Sequence, residues 1–323
     1  MSIGINIKKR RYELHMSQQE LADALGYKTR STIAKIESGE NDISQKKLQR
    51  IAEVLDTTAT LLIDGTTNVN VINSQYNSSI STNNIKDVLE SKNRTVVIIL
   101  AGGKSIRNNQ NIPNQFINVM GKPVIVYCLE AYESHPAIDD IYIVCLKGWE
   151  KIVAAYASQY HITKLRGLIP AGSTGILSVQ NGLEFVKNKY QDNDIIIFQE
   201  STRPMVSVDM ISKLLQACYE NGTANICQSM KDYVQFTYID NKQNYIDRNT
   251  TISLQSPDAY RFKVIKEVFD IANQQNRPLN ESCCAMLLYN LGYDINFIEG
   301  MINNIKIVRQ EDIAIFASLI CNK

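Results

Sequence analysis

The sequence predicts two units of different class: a small all-α bundle with a helix-turn-helix, then an α/β domain built on a mostly parallel sheet. Three observations carry this. Residues 1–65 read as short helical segments punctuated by capping residues and glycines. Residues 66–93, from TTNVNVINSQYNSSISTNN onward, are rich in Asn, Ser and Thr and poor in apolar residues, as a flexible linker would be. Across residues 94–323, apolar and mostly β-branched runs alternate with amphipathic helical stretches, the βαβ rhythm of a sheet covered by helices.

The 323 residues suffice for two domains, one of them with a sizeable core. Hydrophobic residues at 44% and charged residues at 21% fit a globular protein. Lys+Arg number 34 against 33 Asp+Glu, a net charge of +1, so bulk attraction to nucleic acid or membrane is excluded and any such affinity needs a local patch. No apolar run reaches the length of a membrane span, and MSIGINIKKRRYELH has no signal-peptide core. Seven cysteines, an odd number in mostly apolar context, read as reduced core thiols of a cytoplasmic protein. Cys283-Cys284 lacks the CxxC spacing or nearby histidine of a metal site.

In the first unit, Ser17-Gln18-Gln19-Glu20 forms a capping box. The helix it opens, QQELADALG, closes at Gly26. Tyr27-Lys28-Thr29 is a turn, and a second helix runs from Arg30 to Glu37 and stops at Gly39. Leu21, Ala22, Leu25, Ile33 and Ile36 point inward, as in a helix-turn-helix. Residues 1–65 hold ten basic and nine acidic side chains, a net of +1, but the basic ones bunch at Lys8, Lys9, Arg10, Arg11 and at Lys28, Arg30, Lys35.

Over residues 5–62, in IKKRRYELHMSQQELADAL, STIAKIESGE and LQRIAEVL, the chain resembles the Cro/C1-type (XRE-like) DNA-binding domain. The resemblance implies that Arg30–Glu37 is the recognition helix for double-stranded DNA. Arg30, Ser31, Thr32 and Lys35 would face the major groove and Gln18 would lie near a phosphate. Such domains generally read paired half-sites, which implies a dimer. A bundle that mediates only protein contacts is the alternative.

In the second unit, Val96–Leu100 reads as a buried strand. It empties into Ala101-Gly102-Gly103-Lys104-Ser105-Ile106-Arg107. Glycines at a strand end let the backbone approach a ligand and aim amides at anionic oxygens, and Lys104 and Arg107 add positive charge. That is the pattern of a triphosphate cradle. The alternation continues through PVIVYCLEAYES, IDDIYIVCL, GILSVQNGLEFVKNK, DIIIF and SVDMISKLLQACYEN. A short helix is expected near Ile85–Leu89. His15, His135 and His161 lie outside every motif and read as surface or helix-end residues; Trp149 reads as packing.

From Val96 to about Ile320 the chain resembles cytidylyltransferases of the IspD-like group, which include methylerythritol-phosphate and ribitol-5-phosphate cytidylyltransferases. The ordered motifs are LAGGKSIR with PNQF, GKPVIVYCLEAY, GSTGILSVQNGL, STRP, Ile246-Asp247-Arg248, LQSPDAYRF and Asn304-Ile305-Lys306-Ile307. The resemblance implies a Rossmann-like nucleotidyltransferase fold with a protruding dimerisation arm at Asp232–Arg248, and hence a homodimer. It implies attack of a sugar- or polyol-phosphate on the α-phosphorus of CTP, giving a CDP-alcohol and pyrophosphate with the help of Mg²⁺. By matched position, Arg107, Lys306 and Arg248 are catalytic. Ala101, Gly102, Gly103, Lys104, Ser105, Gly172, Ser178 and Glu200 bind the nucleotide, with Gly172 and Ser178 on the cytosine, and Glu200 also holds the metal.

Several positions depart from the family pattern. Ser105 replaces the second loop glycine, Gln235 the arm lysine and Gly175 an arginine of the cytosine loop. Asn114 stands where the family has a lysine that stabilises the transition state, a loss that typically costs on the order of a hundredfold in rate. Glu200 replaces the metal aspartate. The second metal aspartate falls on Cys283, or on Glu281 if the register slips by two. Three readings follow: a transferase tethered to a DNA reader, a regulator that senses a nucleotide or CDP-alcohol without turning it over, or a second domain that only dimerises the first.

Overall fold

The computed structural model describes residues 3–321 except positions 15, 28, 41–42, 56, 58, 60–61, 63–92, 105–111 and 240. Residues 66–92 of the expected linker, with the helix expected near Ile85–Leu89, lie outside the described residues, as do His15, Lys28, Ser105 and Arg107. The chain divides into two compact units, residues 1–74 and 75–323.

The first unit contains α1 (Ile3–Glu13), α2 (Gln18–Ala24), α3 (Arg30–Ser38) and α4 (Gln45–Val54). The capping box forms: Glu20 N donates to Ser17 Oγ at 3.1 Å and Ser17 N donates to the Glu20 carboxylate at 2.6 Å. Gly39, at φ +78°, closes α3 in the left-handed conformation that suits glycine. Leu21, Ala22, Leu25, Ile33 and Ile36 are buried as their spacing requires, joined by Ile7, Leu48, Ile51 and Leu55. Arg11 departs from its expected place in a basic surface patch. It is buried and forks onto Glu37 at 2.6 and 3.1 Å, while Nη1 donates to Met16 O at 2.6 Å. This pair ties α1 to α3 and contributes no outward charge.

The second unit carries β1 (Thr95–Ala101), β4 (Asp140–Cys145), β5 (Leu165–Pro170), β6 (Ile195–Glu200), β7 (Thr223–Ser229), β10 (Ile252–Arg261) and β11 (Phe297–Glu299). They form one sheet in the order β11-β7-β10-β6-β1-β4-β5. All neighbours are parallel except β10, which runs against both β6 and β7. The run Val96–Ile99 is continuous because both faces of β1 are covered. Val97 and Ile99 pack beneath helices Val124–Ser134 and Val208–Asn221, and Val96 and Ile98 beneath Gly175–Val186 and Phe262–Gln274. A small ribbon, β2 (Asn118–Val119) with β3 (Lys122–Pro123), and a separate hairpin, β8 (Gln235–Ile239) with β9 (Lys242–Ile246), complete the unit. The hairpin falls within Asp232–Arg248, the segment expected to form an arm, and its Phe236, Tyr238 and Tyr245 are 60%, 69% and 56% exposed. Trp149 packs, stacked on Phe116 at 4.3 Å. The seven cysteines are free thiols. No helix among the described residues is long and apolar enough to cross a membrane.

Candidate active site

From β1 the chain moves outward to β4 and β5, then returns to the other flank of β1 with β6. In an open α/β sheet, the crevice outside the carboxyl ends of strands at such a reversal is where ligands sit. β1 ends at Ala101 and runs into Gly102, Gly103 and Lys104, while β6 ends at Glu200, opposite Leu100. Ser201 ties the two strand ends together, its amide and hydroxyl both donating to Leu100 O at 3.1 and 2.8 Å.

Two glycines let the neighbouring loops meet. A Cβ on Gly102 would lie 2.4 Å from that of Ala171, and one on Gly172 would lie 2.6 Å from the Leu177 carbonyl carbon. Ser178 is buried, accepts from Gly172 N at 3.1 Å and donates to Thr174 O at 2.9 Å. Its hydroxyl thus shapes the turn that opens helix Gly175–Val186. Gly103 and Lys104 are exposed at the mouth.

Asn114 and Gln115 lie in a buried 3₁₀ turn. Gln115 Nε2 donates to Ala101 O and Gly103 O, each at 2.9 Å. Asn114, 2% exposed, donates from Nδ2 to Ile307 O at 3.2 Å and Val308 O at 3.1 Å. The residue at the lysine position therefore supplies no charge and binds backbone instead.

Across the crevice, both oxygens of Glu200 face cations. Oε2 accepts from Arg203 Nε at 2.9 Å and Oε1 bonds the Lys306 ammonium. Burial pushes this carboxyl up, but Lys306 and then Arg203 outweigh it and hold it below its ordinary value. Gln199, fully buried, braces the turn from beneath: Nε2 donates to Glu200 O at 2.8 Å and Arg203 O at 3.3 Å, and Tyr132 donates to its Oε1 at 2.9 Å. Arg203 lies in the STRP motif without a role assigned from sequence, and Gln199, directly before Glu200, lies outside every motif.

A second metal-binding carboxylate is not delivered where the sequence suggested. Glu281 is buried and bound by Arg277 at 2.5 Å, Asn290 at 3.2 Å and the Asn280 amide at 3.1 Å. Cys283 precedes helix Cys284–Asn290, and burial pushes its thiol up. The carboxylate sharing Glu200's face of the sheet is Asp258, opposite Phe198 on β10. Burial first, then the Glu200 charge, raises its pKa to about 7. Among the described residues no group of three or more His, Cys, Asp and Glu side chains could hold a metal ion. With Glu200 already matched by two cations, these residues do not fit a divalent ion.

Arg248 lies in the exposed turn after β9, where Asp247 Oδ1 accepts from Asn249 N at 2.9 Å. No hydrogen bond or ion pair joins it to Glu200 or Lys306 among the described residues. In the first unit Arg30, Ser31 and Lys35 are exposed on α3 and Thr32 is half-buried. Gln18 donates from Nε2 to Glu37 Oε2 at 2.8 Å, which commits its amide to the interior of the unit.

Residues 95–322 match the 2-C-methyl-D-erythritol 4-phosphate cytidylyltransferase family. The chain belongs to this family. Residues 7–62 match the Helix-turn-helix family, so the chain joins an XRE-type helix-turn-helix domain to an IspD domain. Among its relatives, the ribitol-5-phosphate cytidylyltransferase of Lacticaseibacillus paracasei is 32% identical over 228 residues, covering 70% of this chain and 97% of that protein. A 2-C-methyl-D-erythritol 4-phosphate cytidylyltransferase of Clostridium botulinum is 28% identical over 220 residues, 67% of this chain and 93% of that protein. The crystal structure of 4-diphosphocytidyl-2C-methyl-D-erythritol synthase from Anaerococcus prevotii superposes with a TM-score of 0.62 at 22% identity, covering 75% of this chain and all of that one, a likeness of fold.

Proposed function

We propose that the second unit of this IspD-family chain transfers a cytidylyl group from CTP to a sugar- or polyol-phosphate, with ribitol 5-phosphate the first acceptor to test, and does so slowly. The reading rests on one observation: Glu200, Arg203 and Lys306 form a net-positive cluster at the strand reversal, directly beside the glycine loop. An oxygen of the acceptor phosphate attacks the α-phosphorus, the bond from that phosphorus to the bridging oxygen breaks, and pyrophosphate leaves with the electron pair. No proton need move, so the protein's task is to place the reactants and neutralise charge. Lys306 and Arg203 serve the reacting phosphates, Lys104 and Arg107 the triphosphate. Gly102, Gly172 and Ser178 shape the nucleotide wall. Slowness follows from Asn114, which supplies no charge.

The first unit, on this proposal, binds double-stranded DNA through Arg30, Ser31, Thr32 and Lys35 in a cytoplasmic homodimer. Exposed side chains on α3 and the free cysteines support this. Loss of Lys35 is expected to weaken binding to the preferred sequence by about 1–3 kcal/mol and to relax specificity at the base it reads.

Pyrophosphate release from CTP with a panel of polyol phosphates, with and without Mg²⁺, tests the transfer. The expected rate is on the order of a hundredfold below that of the L. paracasei relative assayed alongside. No release with any acceptor overturns it. A second reading, a nucleotide sensor that does not turn over, is favoured by the two backbone bonds that occupy Asn114. It requires CTP or a CDP-alcohol to change the affinity of the chain for its DNA.

A further inference from the structure

The turn 114–116 touches both walls of the crevice. Gln115 holds the carbonyls of the glycine loop on one side, and Asn114 holds the two residues that follow Lys306 on the other. Phe116 anchors the turn by stacking on Trp149. The segment 304–308 is pinned at its other points too: Ile307 N donates to Thr202 O at 2.8 Å, Arg203 Nη1 to Asn304 O at 2.7 Å, and Asn304 Nδ2 to Ser256 O at 2.8 Å. A lysine has a long flexible stem, so its ammonium is delivered to a fixed point only when its backbone is fixed.

We propose that Asn114 is a positioning residue for Lys306: its amide clamps the Ile307 and Val308 carbonyls and makes one rigid piece of the glycine loop and the Lys306 segment. The proposal rests on the reading that this crevice takes phosphates. Position 114 then gives geometry rather than charge. Truncating it frees two carbonyls in a buried setting and uncouples the Lys306 segment from the turn that holds the glycine loop. Gln115 remains on the glycine loop, so the wall built from Gly102 and Gly103 keeps its shape.

A double-mutant cycle on the full-length chain tests this. Ribitol 5-phosphate is titrated calorimetrically into protein saturated with α,β-methylene CTP, which cannot be cleaved. Asn114→Ala is expected to weaken binding about tenfold and Lys306→Ala by at least as much, while the double variant matches Lys306→Ala within about twofold, because coupled residues are non-additive. Asn114→Leu, of similar size but neutral and without a donor, is expected to behave as Asn114→Ala. It replaces the alanine variant in the cycle if that one has lost the domain's thermal transition. Wild-type affinity in Asn114→Ala and Asn114→Leu, or losses that multiply in the double variant, overturns the clamp. A wild-type chain that takes up neither ligand overturns the reading of the crevice, and the clamp with it.

Discussion

A Cβ placed on Gly102 would stand 2.4 Å from the Cβ of Ala171. Neither methyl can rotate away, so the loops after β1 and β5 must part to admit a side chain there. Both loops line the proposed nucleotide wall. Gly102→Ala is therefore expected to weaken CTP binding tenfold or more while costing only about 1–3 kcal/mol of stability, the usual range for overpacking. Titration calorimetry and urea unfolding of the same variant measure the two effects. Unchanged CTP affinity would show that the loops do not form the site.

Arg11 and Glu37 hold the first unit together from inside. Removing one partner leaves a charge buried without compensation, which costs on the order of 3–5 kcal/mol. Glu37→Ala also strips Gln18 and Arg11 of their acceptor. Hydrogen exchange on the full chain is expected to show amides of α1 and α3 losing protection, with no change in the strands of the second unit. Retained protection in α1 would contradict the role given to the pair.

Two titratable groups in the second unit, buried His135 and half-buried Asp258, oppose one another as pH changes. His135 ends helix Val124–Ser134 as a helix-end residue, yet it is 3% exposed, with Nε2 at 3.0 Å from Ser212 Oγ. Burial, then Lys164, pulls its pKa down to about 4. Between pH 7 and 5 the unfolded chain gains a proton that the folded one refuses, and stability falls by about 2 kcal/mol. Asp258 is raised to about 7, so over the same interval the folded chain takes the proton and stability rises by about 2 kcal/mol. These effects nearly cancel in the wild type. Urea midpoints are expected to show His135→Gln more stable at pH 5 than at pH 7, and Asp258→Asn less stable.

Much of the fold was legible because local pattern decided it. Val96–Leu100 reads as a strand covered on both sides because it is apolar at every position, and Ser17 with Glu20 announces the start of α2. The glycine loop and Glu200 were legible as neighbours in a candidate site because strand ends and motif order place them together. Asn114 was legible only as a missing lysine: its partners Ile307 and Val308 lie 193 and 194 residues away, and no local pattern encodes such a contact. Arg11 sits in a run of basic residues, and sequence alone could not say that it turns inward onto Glu37. Asp258 lies in the LQSPDAYRF motif, but its raised pKa comes from its place beside Glu200, which only the sheet register creates.

The charge balance around Glu200 has a consequence for metal dependence. Lys306 and Arg203 already match its carboxylate, Glu281 is engaged by Arg277 and Asn290, and Cys283 is a soft thiol. A hard cation prefers oxygen ligands and sheds its water reluctantly. CTP affinity measured in EDTA and in excess Mg²⁺ is expected to differ by less than about threefold, since such a site gives Mg²⁺ little to bind. A gain of tenfold or more with Mg²⁺ would show that the crevice takes CTP together with its ion despite this charge balance.

The hairpin β8–β9 bears on assembly. A two-stranded ribbon is marginal in water unless its face is covered. Here Phe236 and Tyr245 pair across the strands with ring centroids 6.0 Å apart, and Tyr238 lies on the same face, opposite Gln243. The proposed homodimer would cover that exposed aromatic strip with a second copy of the chain. Replacing both Phe236 and Tyr238 with Asp is expected to raise the dimer dissociation constant a hundredfold or more, as loss of aromatic anchors does. Sedimentation equilibrium reads this directly. Arg248 follows the hairpin, so an arm that crosses to the partner carries this cation into the partner's crevice. Ribitol 5-phosphate affinity is then expected to fall together with dimerisation in the double variant, although neither substituted residue belongs to the crevice. If the wild-type chain sediments as a monomer at micromolar concentration, or if affinity holds while the dimer dissociates, the arm serves neither role.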